Sequence, residues 1–205
     1  NGQCEVAALL LSRGAAVDQA AEGGVTALHV AAMNGQCEVA ALLLSRGAAV
    51  DQATEGGFTA LHWAAGNGHC EVAELLLSRG AAVDQADERG FTALHGAAEN
   101  GQCEVAELLL SRGVAVDRAT ESGLTALHMA AKKGHCEVTA LLLSRGAVVD
   151  QATEMGLTAL HLAAETGQCE VAALLLSRGA AVDQATEGGF TALHWAAGNG
   201  HCEVA

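Results

Sequence analysis

The chain has 205 residues, 51% apolar and 17% charged, with a formal net charge of −14 when histidine is neutral. That apolar fraction excludes a disordered chain, and no uninterrupted run of roughly 18 apolar residues is present to cross a membrane as a helix. Acidity on this scale disfavours nucleic acid and attracts basic partners.

Seven cysteines stand at 4, 37, 70, 103, 136, 169 and 202, a constant period of 33. A fixed period between about 20 and 50 residues points to a solenoid whose core grows along one axis, so counting domains by length does not apply. Proline and tyrosine are absent, and Phe58, Phe91, Phe190, Trp63 and Trp195 are the only aromatics of the phenylalanine, tyrosine and tryptophan classes. A core of Ala, Leu and Val has little side-chain volume to fill, so it must be built from closely spaced helices.

Taken in chain order, one unit reads as a turn, a short helix, a loop, a longer helix and a return. Thr59 occupies an N-cap position ahead of Ala60, Leu61, His62, Trp63, Ala64 and Ala65, and Gly68 follows their end. A second helix is expected over about Cys70–Ser78, with Val72, Ala73, Leu76 and Leu77 on one face and Gly80 as the left-handed residue beyond its end. Glu71 in its first turn and Arg79 at its end complement the helix dipole. The polar run Asp84–Phe91, with Gly90 supplying turn freedom, then reads as a projecting β-turn finger.

On these residues the chain resembles the ankyrin-repeat family, over its whole length. The motif Thr26-Ala27-Leu28-His29 recurs from Thr59, Thr92, Thr125, Thr158 and Thr191, with Ala where the family has Pro. Losing a pre-organised proline costs about 0.4–1 kcal/mol per site through the unfolded state. The resemblance implies an all-α repeat solenoid with a β-turn finger and two antiparallel helices per unit. It divides the chain into half-repeat 1–20, repeats 21–53, 54–86, 87–119, 120–152 and 153–185, and half-repeat 186–205. It also implies a motif histidine that ties the first helix to the neighbouring turn.

The start at Asn1, inside a repeat and without Met, reads as a window from a longer chain. Both ends are as apolar as the interior, where family arrays finish in polar caps, so self-association through uncapped ends is expected. Residues 168–205 are identical to 36–73, and 1–20 to 34–53; recent duplication and deliberate design both account for that.

Adjacent pairs such as His69-Cys70 and His135-Cys136 invite a metal reading, but they lie 66 residues apart, whereas a closed zinc site needs four converging ligands at short spacing. The cysteines are instead expected in the core as small hydrophobes. Thiols one repeat apart, about 8–10 Å if repeats stack as packed helices, exceed the roughly 7 Å limit for a disulfide. Free thiols and the lack of a secretory or lipidation signal favour a reducing, cytoplasmic setting. No nucleophile stands in a matching relation to the motif histidines, so neither catalysis nor a cofactor is expected.

Asp51, Glu55 and Glu38 recur in equivalent positions against the single Arg46-type cation, which builds the acidity into the repeat and predicts a negative rail along the fingers. Positions that differ between otherwise near-identical units are the candidates for recognition. Before the turn glycine these include Arg89 and Met155. At the end of the first helix they include Glu99, Lys132, Lys133 and Glu165. Preceding the motif threonine come Phe58, Phe91, Leu124, Leu157 and Phe190, an apolar stripe with about 10 Å per step. The stripe can face a partner or pack finger against finger, and both readings stand.

Two functions from different classes fit. One is a non-catalytic scaffold that binds protein partners, basic ones included, on the finger and first-helix surface. The other is a structural polymer forming superhelical filaments by end-to-end stacking or as one very long array. A further possibility is an arm of a larger enzyme or receptor.

Overall fold

The computed structural model describes residues 2–201, and twelve α-helices are found among them. Six are second helices of a unit: α1 (Gly2–Ser12), α3 (Cys37–Ser45), α5 (Cys70–Ser78), α7 (Cys103–Ser111), α9 (Cys136–Ser144) and α11 (Cys169–Ser177). Five are first helices of seven or eight residues that alternate with them: α2 (Ala27–Met33), α4 (Ala60–Gly66), α6 (Ala93–Glu99), α8 (Ala126–Lys133) and α10 (Ala159–Thr166). The last, α12 (Ala192–Gly198), is a sixth first helix.

Helices this short do not persist alone in water, so packing must hold them. Successive first helices pack on one another from α2 to α12, and α2, α4, α6, α8 and α10 each pack on the second helix of their own unit, while second helices form a parallel row behind. The interior is Ala and Leu. In α4, Leu61, Ala64 and Ala65 are buried, and Val72, Ala73 and Leu76 of α5 close the layer from the other side. Leu77, expected on that face, is only half-buried at its margin. Alanine at every close approach lets backbones come near without voids.

The fingers form the third layer. An isolated antiparallel bridge, Ala86 to Thr92, closes the base of one of them. Neighbouring fingers are stitched through their backbones: the Glu55 N–H donates to the Gly23 carbonyl and the Glu121 N–H to the Arg89 carbonyl, both at 2.9 Å. Gly57 shows why the tip needs glycine, because its φ is +84° and a Cβ there would stand 2.8 Å from the Asp87 Cα of the next finger. Behind the second helix, Gly80 has φ +90° and turns the chain out of α5 as its position suggested.

Candidate functional site

The repeated polar residues are largely occupied by the fold itself. In five consecutive units the N–H of the motif threonine donates to Nδ1 of the motif histidine at 3.0–3.1 Å. With Nδ1 accepting, the proton sits on Nε2. That Nε2–H donates to a carbonyl of the next finger, from His29 to Phe58, His62 to Phe91, His95 to Leu124, His128 to Leu157 and His161 to Phe190, at 3.1–3.2 Å. One ring thus caps its own helix and holds its neighbour's turn. Burial pushes all five imidazoles below their ordinary value of 6.5, and His95 down to about 4. These histidines are neutral structural ties.

The repeated aspartates are also engaged. Asp18, Asp51, Asp84, Asp117 and Asp150 accept from the backbone N–H of Ala49, Ala82, Ala115, Val148 and Ala181, each 31 residues onward, at 3.0–3.2 Å. The expected acidic rail therefore loses its aspartates to repeat-to-repeat bonding, and the exposed glutamates Glu55, Glu88, Glu121 and Glu154 carry the charge of the fingers.

The cysteines need a correction. Cys37, Cys70, Cys103 and Cys136 are half-buried at the edge of the core rather than within it. Burial and then neighbouring glutamates push the thiols of Cys37, Cys70 and Cys103 up; at Cys136 burial is followed by the hydrogen bond to Glu170. Such thiols are poor nucleophiles. Cys202 lies outside the described residues. The adjacent histidines have their own role: His69, His135 and His201, each preceding a cysteine, place Nε2 3.0–3.1 Å from the carbonyls of Met33, Glu99 and Glu165 in the preceding unit. Among the described residues no three or more His, Cys, Asp or Glu side chains converge as a metal site would require.

The variable positions meet in a groove between the fingers and the first helices. A cavity of about 350 Å³ is walled by Phe58, Trp63, Arg89, Phe91 and Glu99. A second of about 350 Å³ continues from it past Arg89, Phe91 and Glu99 to Leu124 and Met129. Further along, Met155 and Leu157 border a third hollow with Trp195. Phe58 and Phe91 contact each other at 6.4 Å between ring centres, and Phe58 meets Trp63 at 5.8 Å. Within the stripe Phe58 packs on Phe91 of the next finger, and Phe58, Phe91, Leu124 and Leu157, all half-buried, also line the groove.

The remaining candidates do not line the two cavities at Arg89. Lys133 pairs with Glu99 at 3.6 Å, the Lys132 carbonyl accepts from the Thr166 hydroxyl, and Glu165 offers its carbonyl to His201. Phe190 is 53% exposed and stands edge-on to His194. Sequence reasoning missed Trp63 and Met129. They occupy the residue after the motif histidine, which runs Val30, Trp63, Gly96, Met129, Leu162 and Trp195, a phase that changes in nearly every unit and so carried the signal.

Short paired helices, backbone-stitched fingers and a repeated Thr–His cap define a helical repeat array. The family model described as ankyrin repeats in three copies matches residues 1–87, 50–120, 77–153, 94–186 and 149–205, overlapping stretches that together span the chain. The chain belongs to the ankyrin-repeat family. No curated protein matches it significantly. No helix among the described residues is long and apolar enough to cross a membrane.

Proposed function

We propose that this chain is a non-catalytic scaffold that binds a protein partner on the finger and first-helix surface. The observation that carries the reading is a division of labour: the invariant histidines and aspartates are consumed in holding units together, whereas Arg89, Phe91, Glu99, Leu124, Met155 and Leu157, which vary, line an open groove. Affinity on such a surface is the sum of several units, and apolar side chains at its centre carry most of it. The exposed finger glutamates favour a basic partner. Free thiols at the core edge support a reducing, cytoplasmic setting.

The test uses binders selected from a random peptide library against the full chain. Replacing Leu124, Met155 and Leu157 with Ser together should weaken their binding tenfold or more. Leu176→Ser, on the second-helix row, should leave it unchanged. Equal binding to both variants removes the groove as the site.

A further inference from the structure

One finger departs from the repeat at two linked places. Other fingers begin with Ala21 or with Thr54, Thr120, Thr153 or Thr186, but this one begins with Asp87, and Arg89 stands where Gly23, Gly56, Ser122, Met155 or Gly188 is found. The change alters how the finger is held. Each threonine hydroxyl accepts the N–H of the residue four positions on, at 3.1–3.2 Å. Asp87 Oδ1 accepts two N–H groups, from Arg89 at 2.8 Å and from Phe91 at 2.7 Å, and bonds to a carboxylate are the stronger kind. The carbonyls of the same two residues are also taken. The Glu121 N–H donates to Arg89 at 2.9 Å, and the Asp87 N–H and His62 Nε2–H donate to Phe91 at 2.8 and 3.1 Å. The preceding finger adds little, since the Glu88 N–H lies 3.5 Å from the Gly56 carbonyl where the equivalent Glu55–Gly23 bond is 2.9 Å.

Stability does not account for this aspartate. Its side chain is 1% exposed, its Oδ2 is buried without a hydrogen-bond partner, and Arg89 Nε stands 3.9 Å away on a side chain that is 78% exposed. A buried carboxylate oxygen with no donor is destabilising, and the threonine of four other fingers avoids that cost. Local rules are broken in this way where function requires it. The aspartate secures the placement of Arg89 and Phe91, and these two residues border both of the 350 Å³ cavities of the groove.

We infer that Asp87 is the positioning residue of the groove: it fixes the finger 87–91 so that Arg89 and Phe91 meet a partner already in place. The inference rests on the groove being the binding surface. A contact loop that is ordered before binding spares association the entropy of ordering it. Arg89 and Phe91 make the contacts, and Asp87, sealed beneath them, acts only through their backbone.

Asp87→Thr installs the residue of the other fingers and separates positioning from plain stabilisation. Thermal melts of the full chain should show Tm unchanged or raised, because the orphaned oxygen is gone, while amide hydrogen exchange at Arg89 and Phe91 speeds up about tenfold or more. Binders selected from a random peptide library against the parent chain should lose about fivefold or more in affinity. Asp87→Asn keeps the Oδ1 acceptor and should stay within about threefold of the parent in both exchange and affinity. The positioning role is overturned if Asp87→Thr lowers Tm and affinity together, if exchange at the two amides does not change, or if Asp87→Asn loses as much as Asp87→Thr. Binders that ignore Asp87→Thr, yet lose binding to the Leu124, Met155 and Leu157 triple variant, overturn it and keep the groove. Binders indifferent to every variant, or no enriched binder at all, overturn both.

Discussion

The two long sides of this solenoid use repetition in opposite ways. On the second-helix row, the run from Cys70 to Leu77 returns almost unchanged from unit to unit, and its Leu and Val side chains face a core that is the same everywhere. On the finger and first-helix side, an equally regular lattice of Thr, His and Asp supports positions whose side chains change along the array. The lesson is that sameness underneath permits difference above: because His62 fixes the Phe91 carbonyl and Asp51 the Ala82 N–H, residues 63, 89 and 96 can change without loss of those ties.

The sharpest way to break that support is acid. His29, His62, His95, His128 and His161 are held neutral by burial, so their folded values lie below the 6.5 of the unfolded chain. Between the two values the unfolded state binds more protons, and stability therefore rises with pH. The contribution is fully present above about 6.5 and is lost as pH falls toward about 4, the value reached by His95. Urea midpoints should drop steeply from pH 7 to pH 5, more steeply than one histidine allows. A flat profile over that window contradicts the neutral tie.

A smaller effect isolates one tie. His95→Ala removes the cap of α6 and leaves the Leu124 carbonyl without its donor, a loss of about 2–4 kcal/mol on combining a lost cap with an unsatisfied buried group. His194→Ala, at the exposed equivalent in α12, should cost only about 0.5–1 kcal/mol. Equal shifts in thermal denaturation would show that the bond between units contributes nothing beyond the cap.

Smallest is the change expected on the second-helix row, where Arg145 reaches Glu107 at 3.1 Å and Arg112 reaches Glu74 at 3.5 Å across units. Both pairs are exposed, so Glu107→Ala should cost no more than about 0.5 kcal/mol, and added salt should erase the difference. A larger, salt-independent loss would show that these pairs hold the row together.

Much of this was legible in the residues. The period of 33, the helix over Cys70–Ser78, the threonine before each first helix and the glycine beyond each second helix follow from spacing and capping chemistry, which are local properties of the chain. The motif histidine's partner was foreseen from the family resemblance, not from its own spacing. Trp63 and Met129 sit inside first helices, where an apolar residue reads as core, and only the packed array shows that their phase borders the groove. Asp51 was counted as surface charge because nothing along the chain shows that its carboxylate points at a backbone N–H 31 residues away.

The sequence by itself determined the unit, its length and the residues allowed to vary, since repetition writes the core pattern out several times over. Only the tertiary structure decided which repeated polar groups are consumed and which gaps remain open. Stacking brings residues from different units into contact, so His69 finds the Met33 carbonyl and Gly96 finds Gly66 across that junction. The groove between fingers and first helices is likewise a property of packing, and it exists only once the helices stand side by side.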